Sequence, residues 1–178
     1  MIWLEALVSK KIMSVNKPPI WLEFARNFIG QKEAVGAKSN PWIVSLWENN
    51  KWLGDDDSRV PWCGAFVNFV LINNDINTFK TFYRAKDWLK WGIELKSPVY
   101  GCVVVFERKG GGHVGFVVGR DKVGKLLVLG GNQGDAVSIA AFDPTRISGF
   151  RWPAEIPLTE TQPLAVMNIQ TKLSTNEV

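Results

Sequence analysis

The sequence predicts an α+β fold, and three observations predict it. Helical spacing of apolar residues dominates the chain up to Trp91. Short β-rich runs divided by Gly, Lys and Asp occupy the stretch from Gly101 to Trp152. The two kinds of segment follow one another rather than alternating, which separates α+β from a parallel α/β sheet. At 178 residues, 46% hydrophobic and 21% charged, the chain suits one domain with its own core.

The first helix is expected after Pro18-Pro19. Ile20, Phe24 and Phe28, with Trp21 and Ala25, fall at helical spacing, and Gly30 is a natural C-cap. Asn40-Pro41 predicts a second helix, with Asn40 as N-cap and Pro41 at the first helical position, fading at Asn49-Asn50. Gly54–Ser58 reads as a polar turn; its aspartates lack the alternating oxygen spacing of a calcium loop. Pro61–Ile72 predicts a buried helix, because from Ala65 onward only Asn68 is polar, and Pro61 suits the first helical position. A short helix near Tyr83–Trp91 should end at Gly92. Five strands are then expected at 103–106, 113–119, 126–129, 137–141 and 147–152, spaced as an antiparallel meander. The expected division is an N-terminal extension at 1–17, a folded domain at 18–153 and a loose tail at 154–178.

Charge and composition narrow the function. The net charge is +4; residues 154–178 carry three glutamates and one lysine, a contribution of −2, so the rest of the chain holds +6. Such a body favours an anionic polymer or surface. No Lys/Arg run exceeds two residues and no nucleic-acid-binding signature occurs, so nucleic acid is not expected as a partner. No apolar stretch approaches the roughly 18 residues of a membrane span, so membrane insertion is not expected. Met1–Val8 is interrupted by Glu5 and followed, not preceded, by Lys10-Lys11, the wrong order for a secretory signal. The expectation is a monomer held in the cytoplasm until it is released. The two cysteines make no disulfide framework; separate structural duties are expected, with a bridge left open. Some of the nine tryptophans could line a ligand groove or could all be core.

Three residues form a candidate constellation. Cys63 lies in the first turn of the expected Pro61–Ile72 helix, where the dipole and exposed N–H groups should lower its pKa. A lone cysteine among apolar residues is also compatible with a buried structural role. His113, the one histidine, follows Gly110-Gly111-Gly112 at the start of a strand. Asn132 sits in Gly130-Gly131-Asn132-Gln133 after the next strand; it is a candidate to hold the imidazole, or simply a turn residue. A thiol nucleophile needs a base within reach, and the base needs a third group to fix its ring. Cysteine on a helix start, histidine on a strand and an amide on the neighbouring strand is the order of parts in papain-like enzymes.

These stretches also resemble a family. Pro61-Trp62-Cys63-Gly64-Ala65-Phe66-Val67, Gly101–Phe106, Gly112–Val117, Val128–Gln133 and Gly149-Phe150-Arg151-Trp152-Pro153 are similar to the CHAP-type peptidoglycan hydrolases of phages and bacteria, relatives of the NlpC-type wall peptidases. The upstream residues Trp21, Ala25, Gly30, Glu33, Gly36 and Asn40-Pro41 are similar to the N-terminal part of single-domain endolysins. The likeness covers roughly residues 18–153. It implies a papain-like fold, hydrolysis of an amide bond in the peptide part of peptidoglycan, and the roles nucleophile, base and orienting residue for Cys63, His113 and Asn132. Such domains usually carry an acid where this chain has Cys102, which keeps a second thiol as a minor rival.

Peptidoglycan is thus the expected partner, with no cofactor and no metal. Substrate contact is expected from Trp62, Gly112, Gln133 and Glu33, although Trp62 suits core packing equally well. The oxyanion should meet the Cys63 N–H and a second donor, either Gln133 or a side chain from Asp55–Arg59. Open alternatives are a secreted antibacterial amidase with an immunity protein, acyl transfer or protein deamidation by the same thiol, and a silent wall-binding module. Glycan–stem amidase and peptide–peptide endopeptidase both fit.

Overall fold

The computed structural model describes residues 18–36, 38–158 and 164–167. Its α+β architecture sets a few helices against a six-stranded antiparallel sheet. Helix α1 spans Ile20–Arg26 and buries Trp21, Leu22 and Ala25. It runs on as a turn to Gly30, whose φ of 96° ends it. Helix α2 spans Pro41–Ser45, and the Asn40 side chain accepts from the Trp42 N–H at 2.9 Å, the cap the sequence predicts. A 3-10 turn at Glu48–Leu53 follows.

Helix α3, Cys63–Ile72, is the centre of the core, with eight of its ten residues buried. It begins later than Pro61 suggests: Trp62 is the capping residue and Pro61 lies outside, so Cys63 is itself the first helical residue. The stretch expected as a helix near 83–91 is a 3-10 helix at Ala85–Lys90, packed on the sheet with Ala85 and Trp88 buried.

The strands are β1 Ile93–Leu95, β2 Val103–Arg108, β3 Gly111–Arg120, β4 Leu126–Gly130, β5 Ser138–Phe142 and β6 Ile147–Trp152. Their spatial order is β1-β6-β2-β3-β4-β5. Strands β2 to β5 form the expected meander; β6 then returns to the far side of β2, pairing Val104 with Phe150. Strand β3 is therefore central, and it begins at Gly111, two residues before His113. Residues 164–167, within the stretch expected as a tail, lie beside β3: Arg120 N–H donates to Ala165 at 3.0 Å and Met167 N–H donates to Arg120 at 2.8 Å. The extension at 1–17 and the rest of the tail (159–163 and 168–178) fall outside the described residues.

Candidate active site

Glycine decides how closely the start of α3 meets the sheet. A Cβ on Gly131, just past β4, would lie 2.5 Å from the Trp62 ring and 2.8 Å from Phe66. A Cβ on Gly64 would lie 2.3 Å from the Phe82 carbonyl oxygen. Only hydrogen at both positions lets α3 slot between the end of β4 and the 82–83 backbone. Cys63 is thereby held beside β3, with the Val114 N–H facing its sulfur.

That position is deeper than the sequence suggests. Cys63 is 2% exposed and His113 is fully buried. Burial pushes the Cys63 thiol up; the Val114 N–H, the Arg108 charge and the N–H groups of Gly64 and Cys63 pull the other way without overcoming it. The expectation of a lowered pKa is corrected: the helix end is present, but desolvation of the sulfur outweighs it. Cys102 is also buried and free, pushed up to about 12 by desolvation, with apolar surroundings and no helix end.

The His113 ring lies against Phe142 at 5.1 Å and 8° between planes, and more distantly against Phe106, its partner across β2 and β3. Its Nε2 is 3.0 Å from Gln133 Oε1. The Gln133 amide nitrogen donates to the carbonyls of Val128 at 3.1 Å and Ser138 at 2.7 Å. The structure thus brings Gln133 to the imidazole, in place of Asn132. Asn132 is 1% exposed, has φ 55°, and neither atom of its amide has a hydrogen-bond partner among the described residues. The left-handed backbone at Asn132 swings its side chain off the line of β4 and delivers the next residue to the ring.

The expected substrate contacts fare differently. Trp62 is fully buried, so it is a core residue and not a cleft wall; its indole N–H donates to Glu33 Oε1 at 2.9 Å. Glu33 is therefore engaged with Trp62; partial burial raises its carboxyl, the Trp62 bond opposes this, and Asp135, Asp57 and Asp56 add to the rise. Gly112 lies in β3 opposite Glu107, and a Cβ there would sit 3.0 Å from Lys86 and 3.5 Å from Ala85, so packing accounts for this glycine. In the Asp55–Arg59 turn, Arg59 pairs with Asp56 at 3.0 Å and Asp57 accepts from the Asn40 N–H at 2.7 Å. Arg108 is the charged group the sequence reading missed. It lies at the end of β2, and only the fold places its charge near the thiol.

No helix among the described residues is long and apolar enough to cross a membrane. No curated protein and no solved structure matches the chain. Residues 55–132, which run from the polar turn through Cys63 and His113 to Asn132, match the family described as "CHAP domain". Over this stretch the chain is similar to a CHAP-type domain, the domain of a peptidoglycan amidase/peptidase family.

Proposed function

We propose that this protein is a peptidoglycan hydrolase that cuts an amide bond in the peptide part of the bacterial wall, with Cys63 as nucleophile and His113 as base. The observation that carries the reading is the meeting of α3 and β3: the N–H of Val114, next to His113, faces the Cys63 sulfur inside a CHAP-type domain. The thiol keeps its proton at rest because burial disfavours the thiolate. His113 takes that proton as sulfur attacks the scissile carbonyl carbon. The resulting oxyanion is met by the Cys63 backbone N–H. Imidazolium then gives its proton to the leaving amine as the C–N bond breaks, leaving a thioester. Water, deprotonated by His113, cleaves the thioester, releases the carboxylate and restores the thiol. Because Cys63 is 2% exposed, substrate entry requires side chains around it to move aside.

The test is clearing of purified peptidoglycan by wild type, C63A and H113A. Clearing by wild type and loss in both variants is expected, by a factor of about 100 or more for H113A. Equal clearing by C63A removes the thiol from the mechanism, and binding without clearing by wild type means a wall-binding module. Fragment masses then assign the bond: a new free N-terminus on stem alanine marks an amidase, and one within the stem or bridge marks an endopeptidase.

A further inference from the structure

We infer that Gln133, and not Asn132, is the positioning residue for His113, and that it fixes Nε2 as the protonated nitrogen and Nδ1 as the base. The inference rests on the thiol-hydrolase reading for the role of His113, but the tautomer it assigns is a property of the resting protein. It follows from hydrogen-bond bookkeeping. The two hydrogens of the Gln133 amide nitrogen are directed at Val128 O (3.1 Å) and Ser138 O (2.7 Å), with Ser138 Oγ at 3.4 Å as a further contact. Carbonyl oxygens only accept, so flipping the amide would set oxygen against oxygen at both places. Oε1 must therefore face the ring, and Oε1 also only accepts. The atom it meets at 3.0 Å, His113 Nε2, must be an N–H. In the neutral imidazole the lone pair then resides on Nδ1.

The surroundings hold this arrangement. The Gln133 backbone N–H donates to Ala136 O at 2.9 Å, and Ser138 Oγ donates to Gln133 O at 3.1 Å. A Cβ on Gly130 would sit 2.6 Å from Gln133 Oε1 and 3.4 Å from His113 Nε2, so glycine is what admits the pair. Phe142 fixes the ring plane. Gln133 is 5% exposed, so water does not compete with its bond to the ring.

His113 is the only histidine in the chain, so nitrogen-15 labelling of histidine gives one pair of ring signals from the whole protein. The neutral wild-type ring should show a protonated-type Nε2 and an unprotonated-type Nδ1. Q133A should show a mixture of tautomers, with kcat on peptidoglycan lower by roughly ten- to a hundredfold and KM changed much less. N132A should keep the wild-type tautomer. A neutral wild-type ring protonated at Nδ1 overturns the assignment, and this needs no variant to fold. An unchanged tautomer in folded Q133A, or a mixture in N132A, also overturns it. Full clearing by C63A and H113A would sink the catalytic reading while leaving the tautomer result intact, so the two failures are distinguishable.

Discussion

Gly131 carries a steric duty that its neighbours cannot share. A methyl group there meets the Trp62 ring and Phe66, both fully buried, so G131A should cost about 1–3 kcal/mol by overpacking and displace the start of α3. Thermal unfolding and peptidoglycan clearing check both effects; clearing is expected to fall more than stability alone explains, since Cys63 follows Trp62 directly. At this scale the sequence was partly legible. That Cys63 opens a helix and His113 lies near the start of a strand was readable from the glycines and the change of period around them. Which of two adjacent amides reaches the ring was not readable. Asn132 and Gln133 differ by one methylene, and the choice between them lies in a φ of 55° that residue identity permits but does not dictate. The pairing of Glu33 with Trp62 was unreadable for a similar reason, since a hydrogen bond between residues 29 apart is invisible in the chain.

Helix α3 shows two opposing effects on one group. Its first residue is Cys63, so the helix end favours a thiolate; its buried setting favours the thiol, and burial is the larger cause. The ultraviolet difference spectrum between wild type and C63A should therefore show no thiolate at neutral pH. A thiol protonated at rest must pass its proton to the imidazole during attack, so the reaction draws on neutral His113. R108A removes a charge that pulls the thiol down, so iodoacetamide alkylation of Cys63 should be slower in R108A than in wild type at each pH. The helix and strands themselves were legible, because apolar periodicity and Gly punctuation report them. Strand β1 was not, since three residues at the sheet edge, only Leu95 of them half-buried, carry no period. Nor was the reach of β6 back to β2, which depends on which strand lacks a neighbour.

Across the whole molecule, buried thiols tie the fold to alkaline pH. In the folded protein Cys102 ionises only near about 12, against an ordinary 9.0. Between those values the unfolded chain has lost its thiol proton and the folded one has kept it. Stability therefore falls as pH rises, by about 1.4 kcal/mol per pH unit for this thiol. C102A should show a shallower fall than wild type over that window in denaturant titrations; equal slopes would mean that the thiol ionises alike in both states. Comparing slopes removes the fixed cost of the small cavity that C102A leaves. The Cys102 position, where an acid was expected by resemblance, is thus occupied by a group suited to its dry surroundings: it is fully buried beside Val103 and Val104.

One side chain does two jobs in this fold, and they fail together. Gln133 holds the carbonyls of Val128 and Ser138, on β4 and β5, while its oxygen rests on the imidazole. A hairpin end is among the first places a sheet frays on warming. Loosening it would free the ring to change tautomer while α3 and the central strands remained folded. Peptidoglycan clearing should then decline at temperatures where the circular dichroism is still native, making its heat sensitivity a property of one turn.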